Sequence, residues 1–178
     1  MTARRMVAQG LACATIGVMG KAPSTAATRL LREKAVAYTE HLYRYEEKGG
    51  TAVSSRELGV EEHAVVKTLV MEDDQGEPLV VLMHGDREVS TKALARQLSR
   101  RSVQICKPEV ANRHSGYQVG GTSPFGTRKR MPVCVERSVL ELPRIYVNGG
   151  SRGFLVGIDP RELARVLEVT VVEVGIAP

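Results

Sequence analysis

Residues 64–83 read AVVKTLVMEDDQGEPLVVLM and hold two strand-like runs on either side of a turn. The first run, Ala64–Glu72, is rich in valine and leucine, and the second, Pro78–Met83, is almost wholly apolar. Between them, Asp73–Gly76 supplies the acidic and glycine residues that tight turns favour. Two β-type runs joined by such a turn predict a β-hairpin, the clearest in the chain.

The rest of the chain carries short elements of both kinds. Helices are predicted at Ser24–Lys34, at Thr51–Leu58, from Thr91 to about Leu98, and from Pro160 onward. Strands are predicted at Tyr38–Tyr45, Val103–Cys106, Pro132–Glu136, Arg144–Asn148, Phe154–Ile158 and Val169–Val174. Because these strands follow one another too closely for regular βαβ units, we expect an α/β fold of the α+β kind. Its centre would be a mixed, mainly antiparallel, β-barrel-like sheet of about seven strands surrounded by helices.

The composition limits the class of protein. A chain of 178 residues suits one domain. The net charge of +5 suits a polyanionic partner such as nucleic acid, although many solvated surfaces are equally basic. With two phenylalanines, five tyrosines and no tryptophan, the chain is a poor candidate for stacking many single-stranded bases.

The three cysteines, Cys13, Cys106 and Cys134, are odd in number and widely spaced. Neither a disulfide framework nor a structural zinc site is therefore expected. The glycines of residues 149–153 have no helix behind them at the spacing of a dinucleotide fingerprint, and a Walker A sequence is absent. We expect no metal, no cofactor and a cytoplasmic location.

The first residues form a segment of different character. Arg4 and Arg5 precede a mildly apolar run, Met6–Met19, which is interrupted by Gln9. The run is too short to span a bilayer and only weakly similar to a signal peptide. We expect residues 1–23 to form a flexible N-terminal extension, residues 24–178 to form the domain, and no membrane association.

Residues 116–130, GYQVGGTSPFGTRKR, cannot form a helix interior, where glycine costs about 1 kcal/mol and proline about 3 kcal/mol relative to alanine. Glycine lets backbone N–H groups approach a ligand, and Arg128, Lys129 and Arg130 add positive charge beside the loop. The pattern predicts either a binding loop or a long turn with a solvated basic end. A second glycine segment, Gly149–Gly153, leaves the same two alternatives open.

Lys67 is the sharpest single candidate for chemistry. It lies inside the first strand of the hairpin, where burying an unpaired charge would be costly. It is either a cation at the floor of a cleft, holding a phosphate or a polarised carbonyl, or a lysine on the solvent face of an amphipathic strand. Nucleophilic candidates are weak, because Ser123 lacks a G-x-S-x-G context and Cys106 and Cys134 lie in apolar runs typical of a core.

Three segments occur in the order VKTL (66–69), GYQVGGTSPFG (116–126) and IYVNGGSRG (145–153). Together they resemble the YbaK/EbsC family of free-standing aminoacyl-tRNA deacylases, which is related to the editing domain inserted in bacterial prolyl-tRNA synthetases. The resemblance covers roughly residues 26–174. It implies the YbaK/ProRS-associated editing-domain fold and a trans-editing activity that releases a mischarged amino acid, cysteine first, from tRNA(Pro). Such editing is needed because a pocket separates near-isosteric side chains by only about 1–3 kcal/mol.

The resemblance also implies roles for residues. The lysine of the family falls on Lys67, which we assign to the 3′-terminal adenosine phosphate or the ester carbonyl rather than to acid–base chemistry. The thiol of the substrate would attack its own ester and give a cyclic thiolactone, so that a protein nucleophile is not required. The substrate pocket would contain Tyr43, Gly120, Gly121, Ser123, Asn148, Gly149 and Gly150, and the tRNA would contact Arg128, Lys129 and Arg130.

Two departures leave the amino acid that is removed open. Asn148 stands where YbaK-type proteins have serine, and Leu155 stands near an acidic position of theirs. The expected partners are mischarged tRNA and, in a ternary complex, prolyl-tRNA synthetase. The alternatives are a tRNA-binding accessory module of a prolyl-tRNA synthetase without its own catalysis, and an inactive family member.

Overall fold

The computed structural model describes residues 20–178. Cys13 and all but residues 20–23 of the predicted N-terminal extension, residues 1–23, therefore lie outside the described residues. No helix within residues 20–178 is both long enough and apolar enough to cross a membrane.

Helices and strands alternate irregularly along the described chain. The five α-helices are α1 (Ala26–Glu33), α2 (Gly50–Leu58), α3 (Thr91–Gln97), α4 (Pro108–Ser115) and α5 (Arg161–Val166). The ten strands are β1 (Thr39–Leu42), β2 (Val65–Asp73), β3 (Pro78–His84), β4 (Glu88–Val89), β5 (Val103–Ile105), β6 (Val133–Glu136), β7 (Ile145–Ser151), β8 (Phe154–Ile158), β9 (Val169–Val172) and β10 (Gly175–Ile176). Thr25 caps α1, Ser90 caps α3, and Gly59 ends α2 in the left-handed conformation.

The predicted hairpin is the centre of the main sheet. In it Lys67 lies opposite Met83, and Val70 lies opposite Val80. The strand order is β1-β8-β7-β2-β3-β6-β9, with β5 paired to the end of β2, while β4 and β10 form a separate ribbon. Antiparallel pairs outnumber the parallel pairs β2–β7, β3–β6 and β6–β9. The predicted fold class is confirmed, and within residues 20–178 the strand path is open at β1 and β9.

Alternating residues of β3 belong to two hydrophobic clusters. Val80 and Leu82 pack in the larger cluster, which includes α1, whereas Val81 and Met83 pack in a smaller one with Leu94 of α3. Because successive side chains of a strand point to opposite faces, each cluster covers one face of the sheet. The whole of β3 is buried, which explains its unbroken apolar run.

Several predicted boundaries were wrong. The strand predicted at Tyr38–Tyr45 is shorter, Thr39–Leu42, and the helix predicted from Pro160 begins at Arg161. Gly149 and Gly150 were expected in a turn after a strand ending at Asn148, but β7 continues through them to Ser151 with an irregular register against β8. The predicted last strand, Val169–Val174, ends at Val172, because the residues beyond it pair with β4 instead of β6.

Candidate active site

A cavity of about 460 Å³ opens beside β2, within the size range of small-molecule sites. Lys67, Tyr43, Gly120 and Asn148, all predicted from the sequence, line it. Most of the remaining wall is apolar and includes Leu69, Val70, Ile105, Val119 and Leu155, with hydroxyl groups from Thr51, Thr68 and Thr122. Elements distant in sequence therefore bring to one cavity the predicted lysine, Gly120 of the first glycine segment, and Asn148, which directly precedes the second.

The cavity lies at a gap in the pairing of β2. On the edge away from β3, β2 pairs with β7 only at Val65 and Val66 and with β5 only from Met71 to Asp73. Residues 67–70 have no strand partner on this edge within the described chain, although the amide of Cys106 donates to the carbonyl of Val70 (3.0 Å). An unpaired strand edge presents backbone donors and acceptors, so the cavity offers peptide groups as well as side chains.

Lys67 alone carries a charge among the described residues that line the cavity. Its side chain is half-buried, and its ammonium donates to the backbone carbonyl of Arg87. Burial lowers the pKa of Lys67, and the carboxylates of Glu88, Glu62 and Asp86 oppose that change. A partly desolvated ammonium in an apolar cavity attracts an anionic or strongly polarised oxygen.

The turn that receives the Lys67 ammonium is fixed by a histidine–aspartate pair that the sequence analysis missed. The Nδ1 atom of His63 lies 2.8 Å from Oδ1 of Asp86, and its ring stacks on that of His84 at 3.7 Å. The Nδ1 atom of His84 donates to the carbonyl of His63 (2.6 Å), so its Nε2 accepts from the hydroxyl of Ser138 (2.7 Å). Neither His84 nor Ser138 lines the cavity, so this serine–histidine pair is a support and not a nucleophile for a ligand there.

The two glycine segments meet behind the cavity wall. A Cβ atom added to Gly121 would lie 2.8 Å from the backbone nitrogen of Arg152, so the segments touch backbone to backbone. Ser123 is fully buried, and its hydroxyl accepts from the amide of Phe125 (3.3 Å). Gly121 and Ser123 therefore shape the loop without lining the cavity.

Asn148 connects these segments. Its Oδ1 accepts from the amides of Gly150 (2.7 Å) and Ser151 (3.2 Å), and its Nδ2 donates to the carbonyl of Gly120 (3.1 Å). Gly149 and Gly150 are thus placed behind Asn148 and do not line the cavity. The amide of Gly150, which the sequence offered as a ligand donor, is already paired.

The basic run at the end of the glycine loop lies away from the cavity. None of Arg128, Lys129 and Arg130 is among its described lining residues. Lys129 pairs with Glu77 (3.5 Å), and Arg130 pairs with Glu168 (2.6 Å). The contact of this run with tRNA stays a prediction.

Thr68 is a polar group of the cavity that the sequence analysis did not select. Its hydroxyl is buried and has no hydrogen-bond partner among the described residues. Buried polar groups are almost always paired, so the unpaired hydroxyl of a residue that lines the cavity marks a position where a ligand could supply the partner. The signal in the sequence was a second polar residue, next to Lys67, inside an apolar strand.

The side chains among the described residues indicate which kinds of chemistry the cavity could support. No group of three metal-ligating side chains occurs within residues 20–178. Cys106 lines the cavity, but burial and the nearby Glu72 raise its pKa to about 11, so it stays a thiol at neutral pH. The arrangement suits holding a small polar substrate and stabilising negative charge that develops on a carbonyl oxygen.

Comparison with known proteins identifies the family. Residues 46–166, more than half of the chain, match the profile of the aminoacyl-tRNA editing domain. The chain belongs to this editing-domain family. The family predicted from the three segments is therefore confirmed. The matched residues span the cavity from α2 to β8, apart from Tyr43.

Relatives of this editing domain include a free-standing protein and a part of a synthetase. EbsC of Enterococcus faecalis, named as a proposed Cys-tRNA(Pro)/Cys-tRNA(Cys) deacylase, is 29% identical over 140 residues, which are 78% of this chain and 85% of EbsC. A proline–tRNA ligase of Citrifermentans bemidjiense is 32% identical over 94 residues, which are 53% of this chain and 16% of the ligase.

Two solved structures share the fold of the editing domain. The hypothetical protein APE2540 superposes with a TM-score of 0.79 at 22% identity, covering 85% of this chain and 100% of its own. A protein described as a proposed trans-editing enzyme for prolyl tRNA synthetase has a TM-score of 0.74 at 19% identity, covering 88% and 100%. At these identities the likeness establishes the fold alone.

Proposed function

We propose that this editing domain is a trans-editing deacylase that releases mischarged cysteine from tRNA(Pro). The observation that carries the proposal is the cavity itself, which combines one ammonium, that of Lys67, with the unpaired edge of residues 67–70 and a largely apolar wall. An aminoacyl ester needs both features, because its carbonyl is polar and a small side chain such as that of cysteine is weakly polar. The name of EbsC, which is similar to this chain over 140 residues, supports the same substrate.

Lys67 would bind the esterified end of the tRNA. Its ammonium already points to one oxygen acceptor, the carbonyl of Arg87, and has further N–H groups for a phosphate or ester oxygen. As negative charge develops on the ester carbonyl, an ammonium in an apolar cavity stabilises it more than water would. Tyr43 and Asn148, which also line the cavity, would confine the amino acid, and Gly120 would let the backbone approach it.

The nucleophile in this proposal is the thiol of the substrate. Its sulfur attacks its own ester carbon, the bond from that carbon to the ribose oxygen breaks, and the thiol proton ends on that oxygen. A free cysteine thiol has a pKa of about 8.5, so a useful fraction is thiolate at neutral pH. The described protein thiols are poorer candidates, because burial raises the pKa of both Cys106 and Cys134 to about 11.

The partners follow from the same chemistry. Mischarged tRNA is the substrate, and prolyl-tRNA synthetase, which produces the error, would be a partner in a ternary complex. The match of 94 residues to a proline–tRNA ligase supports tRNA(Pro) as the nucleic acid, since such a ligase joins proline to its tRNA.

The test is release of amino acid from tRNA(Pro) charged with cysteine, alanine or proline. We expect the wild type to discharge cysteine fastest and Lys67→Ala to be slower by about a hundredfold, the effect of removing a donor to a developing oxyanion. Lys34→Ala is the matched control, because it removes only an exposed ion pair with Glu33 (3.7 Å), and such pairs contribute about 0–1 kcal/mol. Trapping a thiolactone in place of free cysteine would identify the substrate thiol as the nucleophile.

Other results would contradict the proposal. Binding of charged tRNA without release by the wild type would indicate the accessory-module alternative. Release that is equally fast with Lys67→Ala would remove Lys67 from the chemistry. Release of alanine and cysteine at equal rates would exclude attack by the substrate thiol, because alanine has none.

A further inference from the structure

A second concave surface, a basic groove, lies between α3 and β5. It has a volume of about 360 Å³ and is lined by eight residues, of which four are cationic and none is acidic. The cationic residues are Lys92, Arg96, Arg100 and Arg101. Lys92 and Arg96 are four residues apart on α3 and therefore share a face of that helix.

Most of the charge in the basic groove is not neutralised by the protein. Arg100 pairs with the buried carboxylate of Asp73 (3.4 Å). Within residues 20–178, by contrast, Lys92, Arg96 and Arg101 take part in no salt bridge, and all three are exposed. Such a surface repels other cations and attracts a polyanion.

The strand β5 connects the basic groove to the cavity. Val103, at the start of β5, lines the groove, and Ile105, at its end, lines the cavity. At a rise of about 3.3 Å per residue, these positions are about 7 Å apart. Two apolar residues that line the cavity are exposed, Ile105 by 63% and Val119 by 44%. The rim of the cavity near β5 is therefore apolar. An extended polyanion that enters the cavity on this side meets the basic groove next.

The basic run of residues 128–130 is less suited to this role. Lys129 and Arg130 each pair with a carboxylate, and none of the three residues lines the cavity. Binding a phosphate there would first require those pairs to open.

We propose that the basic groove of Lys92, Arg96 and Arg101 binds the phosphate backbone of the tRNA 3′ end next to the esterified adenosine. The assignment rests on the proposed function for the identity of the nucleic acid. It replaces the run of residues 128–130 as the main phosphate contact.

The test compares two charge reversals of equal size. Arg96→Glu/Arg101→Glu alters the basic groove, and Lys129→Glu/Arg130→Glu alters the basic run. Affinity for uncharged tRNA(Pro) is measured against salt, and cysteine release is measured with Cys-tRNA(Pro) and with the cysteinyl ester of adenosine, which has no phosphate backbone. Circular dichroism checks that both variants fold, and Arg96→Gln/Arg101→Gln replaces the first if it does not.

We expect the groove variant to bind tRNA about tenfold or more weakly, and the slope of log affinity against log salt to fall by about two. Its KM for Cys-tRNA(Pro) should rise, while release from cysteinyl adenosine stays at the wild-type rate. The basic-run variant should differ little from the wild type. The proposal is overturned if the basic-run variant loses affinity and the groove variant does not. If the wild type releases cysteine from neither substrate, the proposed function fails, and the binding comparison still decides whether the groove contacts nucleic acid.

Discussion

Removing the hydroxyl of Thr68 should affect protein stability and ligand binding in opposite directions. It is buried beside the cavity, and no hydrogen bond among the described residues depends on it. An unpaired buried hydroxyl destabilises a protein by about 1–3 kcal/mol. We therefore expect Thr68→Val to keep or raise the melting temperature and to slow cysteine release about tenfold, the value of one lost hydrogen bond.

Thr28→Val is the control for this prediction. The hydroxyl of Thr28 accepts from the backbone amide of Thr25 (2.9 Å) at the start of α1, so its loss should lower stability by about 1 kcal/mol. Release of cysteine, corrected for the folded fraction, should be unchanged in Thr28→Val. A Thr68→Val variant that melts earlier and still releases cysteine at the wild-type rate would show that the hydroxyl serves the fold.

At the scale of elements, the close approach of the two glycine segments positions one side of the cavity. A Cβ atom at Gly121 would lie 2.8 Å from the nitrogen of Arg152 and 3.0 Å from the carbonyl carbon of Ser151, both backbone atoms that cannot turn aside. We expect Gly121→Ala to destabilise by about 1–3 kcal/mol through overpacking. It should also slow cysteine release, because Gly120 and the attached Asn148 line the cavity and would move.

Gly76→Ala is the control that distinguishes a loss of stability from a direct effect on cysteine release. Gly76 has φ +76° in the turn between β2 and β3, and no atom lies within 4 Å of an added Cβ. The left-handed conformation costs an alanine about 1–2 kcal/mol, so this variant should also melt earlier. Since Gly76 is remote from the cavity lining, its cysteine release should match the wild type. Equal loss of activity in both variants would mean that activity follows stability alone.

The sequence predicts individual elements better than it predicts the site. The hairpin of β2 and β3 depends on residues that are close in sequence, so it could be predicted. The unpaired edge of β2 could not, because it depends on how far β7 and β5, which are distant in sequence, extend along that strand. The pairing of Asn148 with the amide of Gly150 likewise requires β7 to continue past Asn148, which a double glycine does not signal.

The resemblance to a known family predicted part of the site that the local sequence pattern could not. The strand pattern leaves two interpretations of Lys67 open, and the resemblance of the three segments favoured a position in a cleft. Lys67 does line the cavity, while its role in binding or catalysis stays a prediction. For the positively charged surface, by contrast, the sequence pointed to the basic run of residues 128–130 and not to the basic groove. A cluster of charges in sequence is visible at once, whereas Lys92, Arg96 and Arg101 form a groove only after α3 packs against β5.

At the scale of the whole molecule, the histidines should make stability fall in mild acid. Burial lowers the pKa of His84 and His41, and burial with Lys129 and Arg113 lowers that of His114. Each of these histidines has a folded pKa below its unfolded value of 6.5, so the unfolded state binds more protons as the pH falls past that value. Their stabilisation is thus complete above the unfolded pKa and is lost progressively below it.

The measurement is the melting temperature at about pH 7.5 and about pH 5.5, on either side of the unfolded histidine pKa. We expect the wild type to melt earlier at the lower pH. The lowered pKa values of Asp73, Asp86 and Asp159 do not contribute, because aspartate carboxylates, with an unfolded pKa of about 3.9, lose their stabilisation only at lower pH. His84→Asn should melt earlier at both pH values, because two hydrogen bonds of the buried ring are lost, but with a smaller difference between them. A difference as large as that of the wild type would show that protonation of His84 does not limit stability.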